Sequence, residues 1–234
     1  MGACVLLVDA DSVLGRALHD SLVAAGFSVL AHARCASQAA SHADANGLGG
    51  EALPRVLDAE DPRTRGVDHV VFCPRDEDLH ADRRDEDLDA MADRLDASLT
   101  GFLAELQAAA RQLARRDGGQ LWVLTMEDSM RYYLDLPCTA IDSRARQAAA
   151  KSFAKEMLRF GVRINCASVQ CVREQVEPAR WMSAAAGLKA YAMKFKPNAA
   201  SAVAATLVHF LQQPDLPIAG TVVPLGIGVA EGNV

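Results

Sequence analysis

Apolar residues in this chain alternate between two kinds of run. Short unbroken runs, such as Cys4–Val8, are followed by longer stretches with apolar positions three to four apart. The first kind reads as a strand buried on both faces, the second as an amphipathic helix. After Cys4–Val8 comes a helix carrying Leu14, Ala17, Leu18, Leu22 and Ala25, stopped by Gly26. Residues 27–31 form the second predicted strand, 36–45 a helix, and 46–50 its glycine-rich exit. A weak third strand is expected at 55–57 and a clear fourth at 69–73. A long helix then spans 86–116, with Leu88, Met91, Leu95, Leu99, Phe102, Leu106 and Leu113 along one face. Gly118 and Gly119 end it, and strand 120–125, helix 142–159, strand 163–168, helix 199–212 and strand 221–224 complete the pattern. Alternation of this kind predicts an α/β fold: a Rossmann-like, doubly wound parallel sheet in a single domain over 1–234.

One element is short. Between the third and fourth strands only residues 58–67 remain, and they are charged and contain proline. Extended, they reach about 33 Å, enough to cross two intervening strands without a helix. One face of the sheet is then expected to be partly uncovered, unless another segment or another chain shields it.

Composition narrows the function classes. Acids outnumber bases, 30 to 24, which argues against a nucleic-acid footprint. No apolar run approaches the roughly twenty residues of a membrane span. The apolar start ends at Asp9, too early for a signal peptide, so a cytoplasmic location is expected. Cys4, Cys35, Cys73, Cys138, Cys166 and Cys171 include no Cys-x-x-Cys pair, and the six histidines are dispersed. Reduced thiols and no metal are expected.

The run Lys151-Ser152-Phe153-Ala154-Lys155-Glu156-Met157-Leu158, then Phe160-Gly161-Val162-Arg163-Ile164-Asn165, resembles the helix and strand that follow the active site of short-chain dehydrogenases/reductases. Asp96-Ala97-Ser98-Leu99-Thr100-Gly101-Phe102 resembles the same family's central helix motif. From these anchors, the family's Tyr-x-x-x-Lys pair falls on Thr139 and Ser143, its catalytic serine on Met126 and its helix asparagine on Ser98. None of the four catalytic residue types is present. The reaction needs a phenol with an ammonium one helical turn away. Four residues beyond the chain's three tyrosines, Tyr132, Tyr133 and Tyr191, stand Leu136, Pro137 and Phe195.

The resemblance also implies a dinucleotide turn, Thr-Gly-x-x-x-Gly-x-Gly, whose amides approach a pyrophosphate. Here Asp9 replaces the first glycine, Val13 the second, and only Gly15 remains. A carboxylate about 5 Å from a phosphate charge costs roughly 3 kcal/mol at an effective dielectric near 20. The fourth-strand exit is Phe72-Cys73-Pro74-Arg75, and Val169-Gln170 stands where the family has Pro-Gly. No bound NAD(P) is expected. Arg34, at a position often basic in NADP-preferring relatives, reads as a solvated strand-end residue.

Val5-Leu6-Leu7-Val8-Asp9-Ala10-Asp11 also resembles a phosphoacceptor receiver domain with Asp58 as the acceptor. The segment before Asp58 is not a normal apolar strand, however, and the fourth strand ends without the expected hydroxyl. The acids from Asp76 to Asp87 read as a solvated loop entering a helix. Residues 172–196, at the family's lid, mix Arg173, Arg180, Lys189, Lys194 and Lys196 with Trp181, Met182, Tyr191 and Met193. That mixture suits an anionic acyl thioester or a plain amphipathic helix.

The resemblance therefore implies a pseudoenzyme: a structural subunit that pairs with an active homologue, or with itself, in acyl-thioester metabolism. Heteromeric members of the family, such as the 2-[hydroxy(phenyl)methyl]succinyl-coenzyme A dehydrogenase of anaerobic toluene degradation, are analogous in kind. Family two-fold packing would place Leu95, Leu99, Phe102, Leu106, Phe153 and Met157 at the interface. The alternatives are a divergent ketoreductase using Ser129, Tyr132, Tyr133 or Lys151, and a small-molecule sensor using the vacated cleft.

Overall fold

The computed structural model describes residues 2–33, 48–49, 52–57, 63–74, 87–127, 140–187 and 197–226. Its strands are β1 (Cys4–Val8), β2 (Ser28–Ala33), β3 (Leu48–Gly49), β4 (His69–Phe72), β5 (Gly119–Met126), β6 (Val162–Val169) and β7 (Val222–Leu225). Its helices are α1 (Val13–Ala24), α2 (Leu53–Val56), α3 (Leu88–Ala114), α4 (Ala140–Met157), α5 (Pro178–Gly187) and α6 (Ala200–Leu211). Every strand pair is parallel, in the order β3-β2-β1-β4-β5-β6-β7. This is the expected doubly wound α/β architecture.

Alternation along each strand divides the core into two layers. Val5 and Leu7 of β1 face one layer with Leu14, Leu18 and Leu22 of α1 and Val203, Ala204 and Leu207 of α6. Leu6 and Val8 face the other, with Phe102, Leu106 and Leu113 of α3 and Ala150 and Ala154 of α4. On the first layer, Trp122 stacks on Phe210 with ring centres 5.2 Å apart. Gln120 ties the same helix to the sheet: its Oε1 accepts from Trp122 Nε1, and its Nε2 donates to the carbonyls of Phe210 and Gln213. A buried amide so used leaves neither end unsatisfied.

The third-strand expectation needs correction. The edge strand is Leu48–Gly49, inside the stretch read as a loop, and it pairs with His32 and Ala33. The stretch read as a strand starts within α2 instead. Pro54 lacks the N–H that a ladder needs but fits the first turn of a helix. Leu53 and Leu57, one turn apart, are both 1% exposed and join the layer beneath α3. Over its described residues, 63–67, the crossover turns rather than running extended, since the Val67 N–H donates to the Thr64 carbonyl at 3.1 Å. Gln112 Nε2 of α3 donates to that same carbonyl at 3.0 Å. Hence α2 and the turn cover the sheet face that was expected to be bare there. The predicted helix at 36–45 and residues 58–62 lie outside the described residues.

Candidate functional site at the carboxyl ends of the strands

In a parallel sheet wound on both faces, helices begin where strands end, and ligands collect in that crevice. At the first such place the chain turns from β1 into α1 through Asp9. Its φ of 57° is the left-handed conformation that glycine adopts freely and aspartate tolerates better than most residues. Asp9 is 4% exposed. Ser12 caps the helix, its Oγ accepting from Gly15 N at 3.0 Å, and is itself buried. A Cβ on Gly15 would meet the Ala10 carbonyl oxygen at 2.5 Å, so close backbone approach alone requires that glycine. Val13 is partly buried and packs against the first core layer.

The four positions aligned with the family's catalytic residues are only partly brought together. Met126, the last residue of β5, is 2% exposed and belongs to the core. Thr139 lies outside the described residues. Ser143 is buried on α4, and Ser98 is half-buried on α3. Around Ser98 a network has formed that has no counterpart in the expected chemistry. Its Oγ donates to Asp142 Oδ1 and accepts from Arg146 Nη2, both at 2.9 Å. Arg146 Nε stands 2.7 Å from Asp142 Oδ2, and its guanidinium stacks on the Phe102 ring. The next residue, Gln147, donates from Nε2 to Thr125 Oγ1 at 2.8 Å, joining α4 to β5.

This arrangement holds two helices together, with the Arg146 guanidinium bonded to the Asp142 carboxylate and to the Ser98 hydroxyl. Of the groups considered for a divergent enzyme, Ser129, Tyr132 and Tyr133 lie outside the described residues. Lys151 is exposed and sits about 12 Å down α4 from Ser143, toward the opposite edge of the sheet. The Asp142–Arg146 pair was missed at the sequence level. Its signal is an acid and a base four apart on one helix, on either side of Ser143.

The remaining walls are polar or filled. Cys73 is buried at the exit of β4, its N–H donating to the Val8 carbonyl. Gln170 is buried beyond β6, its side chain lying so close to Gly226 that a Cβ there would meet Gln170 Cδ at 2.3 Å. From the lid position, Glu174 reaches across to accept from Ala200 N at 2.9 Å and so caps α6. Met182 is 70% exposed on α5, with Arg173 and Arg180 exposed nearby in the chain. Lys189, Tyr191, Met193, Lys194 and Lys196 lie outside the described residues. Among the described residues, groups with displaced pKa lie elsewhere: Cys4 and His69 begin β1 and β4 at the amino ends of the strands, and Cys166 is inside β6.

Two interface assignments are corrected by burial. Phe102 is 1% exposed and Leu106 is 0%, both under α3 in the subunit's own core, so neither is available to a partner. Leu99, Phe153 and Met157 are half-buried against that core, and Leu95 is half-buried on α3. On these two helices the large exposed apolar side chains are Leu88 at the start of α3, Ile141 near the start of α4, and Leu158 and Phe160 at its exit; Met182 on α5 and Val23 on α1 are exposed as well. Among the described residues no cluster of His, Cys, Asp and Glu could hold a metal, and no helix is long and apolar enough to cross a membrane.

No family model matches the sequence. Solved structures do match the fold over nearly the whole chain. A short-chain type dehydrogenase/reductase from Mycobacterium ulcerans superposes with a TM-score of 0.74 at 19% identity, covering 95% of this chain and 87% of that one. A dehalogenation enzyme gives 0.74 at 17% identity, with 95% and 96% covered. The TT0495 protein of Thermus thermophilus gives 0.74 at 16% identity, with 96% and 97% covered. At such identities the likeness is one of fold.

Proposed function

We propose that this chain is a non-catalytic subunit built on the short-chain dehydrogenase/reductase scaffold, serving a catalytically competent homologue in a hetero-oligomer. The observation that carries this reading is the Ser98–Asp142–Arg146 network. Helix-to-helix bonding stands at the position aligned with the family's helix asparagine, and Met126 fills the place of its catalytic serine. Support for a partner comes from the outer helical surface. From Leu88 through Gly101, a rise of about 21 Å, no residue of α3 is buried. Leu88, Met91, Leu95 and Leu99 recur there at helical spacing, flanked by exposed Asp87, Asp89, Asp93 and Asp96. Helix α4 and its exit expose Arg144, Lys151, Lys155 and Arg159 beside Leu158 and Phe160. An acidic apolar helix beside a basic one suits antiparallel pairing with a related helix pair.

The acyl-thioester assignment is a narrower part of the same reading. It rests on exposed Met182 with Arg173 and Arg180, which together offer apolar contact and positive charge to an anionic ester. The decisive experiment is co-expression with an intact homologue encoded beside it, followed by light-scattering mass measurement. A stable complex whose reductase activity resides in the homologue's tyrosine supports the reading. A clean monomer, with and without that homologue, sinks it.

A further inference from the structure

The fold family implies a dinucleotide at the start of α1, and the residues present there do not fit one. We propose that this crevice is filled by the chain itself, with Asp9 and Val13 occupying the space and Ser12 taking the amide that a phosphate would otherwise engage. Three independent features of the turn point the same way. First, the backbone at Asp9 keeps a left-handed turn, φ 57°, yet places a buried carboxylate where a glycine would leave room for a ligand. A carboxylate beside a diphosphate disfavours its binding.

Second, an amide of the helix end is already taken. An uncapped helix N-terminus presents free amides to an anion. Here Gly15 N donates to Ser12 Oγ at 3.0 Å instead. Ser12 is only 3% exposed, so a ligand would have to displace a buried intramolecular cap. Third, the one glycine that remains has a packing reason to be there. The space beside Gly15 is taken by the Ala10 backbone, at 2.5 to 2.8 Å from where a Cβ would stand. Its presence is therefore no sign of a surviving nucleotide site. Val13 adds bulk at the same turn, packed against the core. The proposal is independent of the subunit reading, which concerns the outer faces of α3 and α4.

Calorimetric titration of the full chain with NADH and with NADPH tests it, using wild type, Asp9→Asn and Asp9→Gly/Val13→Gly, each checked for folding by circular dichroism. Wild type should show no saturable binding at hundreds of micromolar. The double variant should bind roughly a hundredfold more tightly, from removal of the charge and the side chain. Saturation of wild type in the low micromolar range would overturn the proposal, as would a folded double variant that binds no better. Should the double variant not fold, Asp9→Asn decides, because it keeps the shape and removes the charge. Binding at hundreds of micromolar or tighter supports self-filling, and continued absence of binding overturns it. Assembly with a homologue is read by mass, so its success or failure leaves this outcome unaffected.

Discussion

The guanidinium carbon of Arg146 lies 5.0 Å from the centre of the Phe102 ring, joining an ion pair on α4 to the core beneath α3. Arg146 is 7% exposed and Phe102 is 1%. The arginine thus meets a carboxylate, a hydroxyl and an aromatic face at once, a combination that planar guanidinium geometry favours over an ammonium.

Truncating that arginine should be costly. Arg146→Ala leaves Asp142 nearly buried without its cation, and breaking such a pair typically costs about 3 kcal/mol. Arg146→Lys should lose part of that, since a lysine neither stacks nor forks. Urea unfolding of the two variants checks the order. Equal stability of wild type and Arg146→Ala would show that the network does not hold α3 to α4.

The isolated protein should reduce no ketone, acyl-thioester ketones included, with either nicotinamide cofactor. Ser98 is committed to the ion pair and Met126 to the core, so neither position can relay a proton. Turnover that vanishes in Tyr132→Phe or Tyr133→Phe would establish the divergent ketoreductase instead.

Much of the fold was legible because each inner strand is an apolar run buried on both faces, as Val5 to Val8 show at 0% exposure. The edge was not. Strand β3 is only Leu48–Gly49, too short for any periodicity, while the stretch 55–57, whose apolar content suggests a strand, follows Pro54 in the first turn of a helix. Vacancies at Ser98, Met126 and Ser143 could be read by counting from the Lys151 anchor. What replaced them could not, because the role of Arg146 depends on Phe102, 44 residues away in sequence and on another helix. The apolar stripe of α3 likewise showed which face was inward without showing where along its length the sheet ends. Phe102 and Leu106 lie over the sheet, and Leu88 does not.

Stability should fall as the solution is acidified below neutrality, partly through His69. Burial is the main cause that lowers its pKa from the ordinary 6.5; Asp68 opposes this, while Arg163 reinforces it. Its Nδ1 also accepts from Gln120 N at 3.3 Å, a bond that only an unprotonated nitrogen can take. With the folded pKa below the unfolded one, the stabilising contribution is complete above about 6.5. It is lost as pH falls from there through the folded value, because the unfolded chain takes up the proton first. Urea midpoints between pH 7.5 and 5 should decline less steeply in His69→Gln. Parallel slopes would remove His69 from the account.

Cys166 should resist alkylation. Burial inside β6 pushes its thiol up to about 12, with Lys151 only partly opposing. Thiolate is the reactive form, so at pH 8 almost none is present. Mass spectrometry after iodoacetamide treatment should find it unlabelled in native protein and labelled in urea. Rapid native labelling would mean that β6 opens.

Substitutions on α3 and at the exit of α4 should separate folding from assembly. Leu106 lies at 0% exposure between α3 and the sheet, so Leu106→Asp places an unpaired charge in the core and should unfold the subunit itself. Even Leu106→Ala should cost about 3 kcal/mol through the cavity it leaves. Phe160 is 45% exposed, with the Arg159 guanidinium carbon 4.7 Å from its ring centre, and contributes to neither core layer. Phe160→Asp and Leu88→Asp should therefore leave the circular dichroism spectrum and urea midpoint almost unchanged while lowering the mass of any complex. Unfolding by either exposed substitution would place these residues in the fold. Retention of the full complex by both would move the partner surface away from α3 and α4.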